Sequence, residues 1–409
     1  MRRYYLIDHK WLFLFGFVFY LFAPFLVGQF NLFAGFPGMD LYQGFYDRIP
    51  KSQLTAYVLI TISWLPAFFL GHFCFNLLRP YKRSLELFPA TATSYGASYI
   101  GIALCLVLAL FTYLARGSFG NSYTNYDFGA RGKLSTLMVI FNFFLLYQLV
   151  SKQKISMLLA GGTILTSLVL LLIGGRLYVT QTFLTFLLYK TSFAEKRWRL
   201  WQIGGFAVLL FFIATALGVW RMGGNFNLNN AGYSLLAEPA FTWFSTSTFL
   251  ISYDIPLFNI PANFLTSFLN LVPNTFFSLL PYVVNAAAMG YHYENPLGAD
   301  SVWTTYIINF GAIGSFFFVF VTGFMLNFLR HLSENNRFWT VYYLLVCGML
   351  PFQFFRDGFF IINKQLFFNF LLIPGVLLIV LKFVYHLVAK TSAARHRYSS
   401  QDPPTEVGG

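Results

Sequence analysis

Residues 155–190 read ISMLLAGGTILTSLVLLLIGGRLYVTQTFLTFLLYK: an apolar run over 155–174, a break at Gly174-Gly175-Arg176, and a second apolar run over 177–190. A helix needs about 20 apolar residues to cross the hydrocarbon of a bilayer, so the first run is long enough to span. The second is short and reads as a tilted or incompletely spanning helix. Working outward, eight further apolar segments follow the same rule, at 11–33, 55–78, 92–114, 134–150, 201–219, 305–329, 338–354 and 366–386. The chain is 57% hydrophobic and 10% charged, whereas soluble domains carry about 25% charged residues. The expected fold is therefore all-α, a polytopic membrane bundle of about ten transmembrane helices. One transmembrane domain covers 1–390, with a large helical loop inserted at 220–304. The polar tail 391–409, with Pro403 and Pro404, reads as disordered and cytoplasmic. Arg2 and Arg3 precede an apolar run that continues to about Phe33. That is too long for a signal-peptide core and lacks a small-residue cleavage site, so it reads as an uncleaved first span.

The net charge of +13 raises the question of nucleic acid. The basic residues, however, sit in short loops between apolar spans and form no single patch, so nucleic acid is excluded as a partner and the bilayer takes its place. Placing the ten spans puts 18 of the 27 Lys and Arg on one side and 9 on the other. Cytoplasmic loops carry the excess of Lys and Arg, so both termini are expected in the cytoplasm of a multi-pass membrane protein. The nine cations of the poor side become candidates for function. Cys74, Cys105 and Cys347 all fall inside apolar spans, and no pair has metal or disulfide spacing. No phosphate-cradling glycine loop, nucleotide signature or metal-ligand cluster is present. No cofactor and no metal are expected.

Three arginines of the poor side stand at span ends. Arg176 follows two glycines that let the backbone turn or approach a ligand closely. Its bland alternative is a boundary arginine reaching for the interface. Arg221 follows Trp220 after the seventh span, where such pairs also serve as anchors. Arg356 lies in the turn Phe354-Phe355-Arg356-Asp357-Gly358, where it either pairs with Asp357 or faces the same cavity as Arg176. Arginine binds phosphate oxygens in bidentate fashion and cannot be deprotonated. If the three helix ends pack together, the cluster suits a diphosphate. Within the outer loop, His292 and Glu238 are candidate bases. The alternatives are a structural histidine and a helix-start carboxylate bonded to local amides. The segment Ala262 to Leu280 carries Asn263, Thr266, Ser267 and Asn270 on one helical face, with Phe264, Leu265 and Phe268 opposite. It reads as lying on the membrane, lining a cavity, or packing on the bundle as a lid.

Four features together resemble the Wzy-type polysaccharide repeat-unit polymerases of bacteria. These are the Gly-Gly-Arg176 break, the large late outer loop, the Phe-Arg356-Asp-Gly turn, and the stretch from Gly298-Ala299-Asp300-Ser301 to Asn309-Phe310-Gly311-Ala312-Ile313-Gly314. The resemblance implies a GT-C-like glycosyltransferase of the bacterial inner membrane, working on its outer face. Its substrates would be undecaprenyl-diphosphate-linked glycans, assembled into O-antigen, capsule or exopolysaccharide, with a chain-length regulator and a flippase as partners. It also implies that Arg176, Arg221 and Arg356 bind the departing diphosphate, and that Glu238 or His292 deprotonates the attacking hydroxyl. The neighbouring O-antigen ligases use outer arginines and a histidine, so a ligase-like transferase stays open. A polysaccharide flippase or exporter is disfavoured by the absence of repeated halves and of mid-span charges.

Overall fold

The structure, a computed structural model, describes residues 7–78, 90–119, 128–221, 225–271, 279–295, 300–334 and 336–385. The expected tail at 391–409 lies outside the described residues. In chain order the helices are α1 (His9–Gln29), α2 (Met39–Tyr46), α3 (Lys51–Leu78), α4 (Ala90–Leu114), α5 (Phe128–Val150), α6 (Met157–Leu172), α7 (Arg176–Leu188), α8 (Leu200–Arg221), α9 (Leu228–Thr242), α10 (Phe244–Ser252), α11 (Ala262–Ser267), α12 (Val302–Ser333), α13 (Arg337–Met349), α14 (Gln353–Arg356) and α15 (Phe359–Tyr385). No strand occurs among the described residues. Five helices, α1, α3, α5, α12 and α15, are long and apolar enough to cross a membrane. Shorter apolar helices lie in α4, α6 and α8. The segment α7 continues through a π-helical turn at Tyr189–Phe193 to 18 residues, and α13 forms a 13-residue helix, both less than the roughly 20 residues that a perpendicular crossing needs.

The bundle is organised around α3 and α12. Gly71 and Gly323 bring the two backbones together: a Cβ on either would fall on the carbonyl of Phe320 or Phe68 across the interface. Small residues allow such approach where no water-driven force joins helices. Trp64, in the middle of α3, donates its indole N–H to Ser315 Oγ at 3.1 Å. The opposite face of α3 exposes Leu59, Leu70, Phe73 and Leu77, an apolar surface that lipid would cover. One end of the bundle gathers the starts of α1 and α13 with the ends of α3 and α12. There His9 hydrogen-bonds Tyr343 at 2.9 Å and His72 at 3.2 Å, and Arg330 pairs with Asp8 at 3.3 Å. His72 thus serves a packed polar network. The other end carries the 225–301 connection and is called the loop end below.

The connection is tied to the bundle by a break in α12. Gly311 has φ +71° and ψ −177°, a region open essentially to glycine alone. The break frees two amides. Ala312 donates to the Pro256 carbonyl at 2.8 Å and Ile313 to that of Leu257 at 3.0 Å, so the loop backbone satisfies the helix. A Cβ at Gly311 would also meet the Leu257 carbonyl at 2.6 Å. Gly311→Ala is expected to cost about 2–3 kcal/mol. Thermal unfolding in detergent would show it as a lowered Tm, with Gly375→Ala, inside α15 and facing open space, as the control that keeps or slightly raises the Tm. The polar face of α11 turns inward. Asn363 donates to Ser267 Oγ at 2.6 Å and Asn270 donates to the Phe360 carbonyl at 3.0 Å. Of the three placements the pattern left open, this face packs on α15, with Asn263 reaching a cavity wall.

Candidate functional site

Arg176 owes its place to the way α6 ends. Gly174 adopts φ +84°, its N–H bonds Leu171 O at 3.2 Å, and the N–H of Gly175 bonds Leu170 O at 2.6 Å. This is a Schellman closure, and α7 begins with the next residue, Arg176. The chain thereby reverses in two glycines and delivers a guanidinium to the loop-end interior. Gly218 of α8 leaves the room it needs: a Cβ there would lie 3.0 Å from Arg176 Nη1 and overlap Ser234 Oγ of α9.

Glu238 meets this arginine from α9. It is not a helix-start carboxylate, because α9 begins at Leu228 and is capped there by Asn227. Glu238 stands in the last turns, ahead of Pro239. Its Oε2 lies 3.6 Å from Arg176 Nη2 and its Oε1 lies 3.6 Å from Arg356 Nε. Tyr20 of α1 donates its hydroxyl to Oε1 at 3.1 Å. Arg356 therefore pairs with Glu238, and the turn after α13 faces Arg176. Two of the three arginines singled out by sequence converge on one carboxylate. The side chain of the third, Arg221, at the end of α8, lies outside the described residues.

The cluster is recessed. Tyr20 stands nine residues before the end of α1 at Gln29, which is about 14 Å along a helix axis. Charges partly buried among apolar helices are costly and are candidates for function. Burial raises the proton affinity of Glu238, but Arg356, Arg176 and the Tyr20 hydroxyl outweigh it and hold the carboxyl below its ordinary range. Burial opposes the charge on Arg356, and Glu238 and Asp357 overcome it, so the guanidinium is held more firmly protonated than usual. Asp357 behaves in the opposite sense: burial raises it, against the pull of Arg356. Arg131 of α5 acts on both carboxylates and lies over the Tyr178 ring at 5.7 Å. Sequence reasoning did not single it out. Its membership in the cation-poor side was the available signal.

The pairing distances carry a chemical message. Formed charge-assisted bonds are about 2.7–2.9 Å long, and both Arg–Glu contacts are longer. Arg356 Nε is buried and makes no hydrogen bond. The guanidiniums thus retain donor capacity for an anion larger than a carboxylate. A carboxylate held ionised by two cations is a poor base near neutral pH, so Glu238 is better suited to balance charge than to take a proton. The chain matches no protein-family model, no curated protein and no solved structure.

His292 lies elsewhere. Its backbone N–H donates to Tyr253 Oη at 2.7 Å, and it lines a cavity of about 770 Å³ whose lining does not include Arg176, Glu238 or Arg356. The two sites share a wall. Gly358, in the cavity lining, follows directly on Arg356-Asp357. Among the described residues no group of three His, Cys, Asp or Glu is placed to hold a metal.

A prediction separates the roles of Glu238. Glu238→Gln is expected to bind pyrophosphate about tenfold more tightly, because the competing negative charge is gone. Its stability should fall by about 1–2 kcal/mol, because two partly buried guanidiniums lose their counter-charge. Titration calorimetry and unfolding on the same protein would reveal the opposed signs. Weaker pyrophosphate binding would refute the counter-ion role.

Proposed function

We propose that this chain is a GT-C-like glycosyltransferase of the bacterial inner membrane, with ten spans and both termini cytoplasmic. On this reading it polymerises undecaprenyl-diphosphate-linked oligosaccharide repeat units into a surface polysaccharide. The observation that supports it most is the recessed Arg176–Glu238–Arg356 cluster, joined by Arg131. Guanidiniums at that depth suit a diphosphate whose lipid tail stays in the bilayer and whose glycan points to the loop end. The four motifs that resemble Wzy-type polymerases support the same reading.

In the proposed reaction, an acceptor hydroxyl oxygen attacks the anomeric carbon of the donor glycan. The carbon–oxygen bond to the carrier diphosphate breaks, and undecaprenyl diphosphate departs with the electron pair. The hydroxyl proton passes to a base on the acceptor side. Arg176 and Arg356 stabilise the charge that develops on the leaving phosphate, an effect worth about 10²–10³ in rate for one well-placed donor. Arg221 stands at the end of the helix that carries Gly218 and is proposed as a third contributor. Glu238 neutralises the cluster between turnovers. Of the two candidate bases, His292, on the far side of the shared wall, remains the proposed proton acceptor.

Gel profiling of surface glycan from a host lacking this chain tests the assignment. The expected result is loss of the long ladder with single repeat units retained. Total loss of surface glycan would instead favour a ligase or an exporter. An unchanged ladder would refute the reading.

A further inference from the structure

The cavity beside the cluster differs from it in chemistry. Its volume, about 770 Å³, falls in the range of about 300–1,000 Å³ typical of small-molecule sites. Among the described residues no lysine or arginine lines it. A phosphate would find no cation there, so the cavity is not an extension of the arginine site. Its polar wall is instead built from Asp300, Glu294, Asn263 and Thr305, and its apolar wall includes Tyr291 and Tyr293. Two of its asparagines each commit one amide hydrogen. Asn263 donates to the Val284 carbonyl at 2.7 Å, and Asn295 donates to Asp300 Oδ1 at 3.2 Å. The wall offers a ligand the carboxylates of Asp300 and Glu294 together with hydroxyl and amide groups, set beside aromatic rings. A ligand that donates many hydrogen bonds and carries apolar ring faces is complementary to such a wall.

Position adds a second constraint. Consecutive Cα atoms are about 3.8 Å apart, so Gly358, in the cavity lining, has its Cα within about 7.6 Å of that of Arg356. A Cβ on Gly358 would lie only 3.3 Å from Asp300 Oδ2. The carboxylate of Asp300 thus sits against the backbone of the very turn that carries Arg356. A molecule filling the cavity has its inner end one turn of backbone from the anion site.

From this juxtaposition we infer that the cavity is a saccharide subsite, in which an uncharged, hydroxyl-rich sugar lies against Tyr291 and Tyr293 and Asp300 accepts a hydrogen bond from one of its hydroxyls. The inference deepens the function proposed above and rests on it for the identity of the ligand. Asp300 is thereby a substrate-binding residue. Burial, reinforced by Asp357, pushes its carboxyl up to about 6, so it is a better hydrogen-bond and proton acceptor than an ordinary aspartate. Glu238 lacks that property.

Saturation-transfer NMR on the purified protein in nanodiscs tests this, with oligosaccharides released by mild acid from the host's own surface glycan as probe. Two variants address the cavity. Asp300→Asn removes the acceptor charge. Ala287→Trp narrows the mouth from an exposed position and leaves the core untouched. Each is expected to bind the probe about tenfold more weakly, while Arg176→Ala binds it as the parent does. Inorganic pyrophosphate should not displace the probe. Unchanged binding in both cavity variants, loss only in Arg176→Ala, displacement by pyrophosphate, or a probe that does not bind the parent would each overturn the subsite. Stronger binding of spermidine than of the glycan would make it a cation site and also overturn it. Failure of the polymerase reading would appear separately, as an intact glycan ladder in cells carrying Arg176→Ala.

Discussion

Cells carrying Arg176→Ala are expected to lose long polymer while keeping the protein at its normal level. The argument rests on where the guanidinium sits. Arg176 is the first residue of α7, held by the Schellman closure of Gly174 and Gly175, so its backbone does not depend on the side chain. Removing the side chain leaves Glu238 with Arg356 and Tyr20 as partners, which limits the structural cost. What is lost is a donor aimed at the anion. On the proposed chemistry the turnover falls about 10²–10³-fold, enough to collapse a ladder that needs many successive transfers. Arg176→Lys keeps the charge but not the planar fork and should restore only part of the activity. Immunoblotting together with glycan gels decides the matter. Full-length chains made by Arg176→Ala would remove this residue from the chemistry.

The largest expected effect on stability is at Gly323. A leucine there would place its first carbon on the Phe68 carbonyl of α3, and the obstacle is backbone, which cannot swing aside. Overpacking a core ordinarily costs about 1–3 kcal/mol. Here the whole α3–α12 contact must open, so the loss should reach or exceed about 3 kcal/mol. Gly71→Leu, its counterpart across the interface, should behave alike. The double variant should cost less than the two single losses combined, because one separation relieves both clashes. Fluorescence-detected gel filtration after graded heating would measure this. A Gly323→Leu protein that melts with the parent would show that the helices do not meet as described.

The helices were legible in the sequence where apolar runs were long. The spans over 11–33, 55–78, 305–329 and 366–386 correspond to α1, α3, α12 and α15. Shorter runs such as 177–190 and 338–354 became helices whose length alone does not establish a crossing. Arg176 and Arg356 could be found because each interrupts an apolar pattern on the side poor in cations. Glu238 drew attention as an outer carboxylate, but its partners could not be read. They come from α1, α7 and α14, and only tertiary packing brings α9 among them. Asp300 was visible in the stretch before α12 without any role, since nothing local marks an acid whose surroundings are supplied by Asn295, Tyr293 and Asp357. For the turn Phe354 to Gly358 the sequence left two readings open, a pairing of Arg356 with Asp357 or a place in the same cavity as Arg176. Arg356 reached across to another helix.

The carboxylate lodged between the two guanidiniums also sets a threshold of valence. Chloride or acetate brings no more charge than the resident already supplies, and gains nothing by entering a recess it must shed water to reach. On the proposed chemistry, a guest with two or more negative charges is drawn to the guanidiniums more strongly than a monovalent one. On the proposed function, a centre of this design favours multivalent anions over the abundant monovalent ones around it.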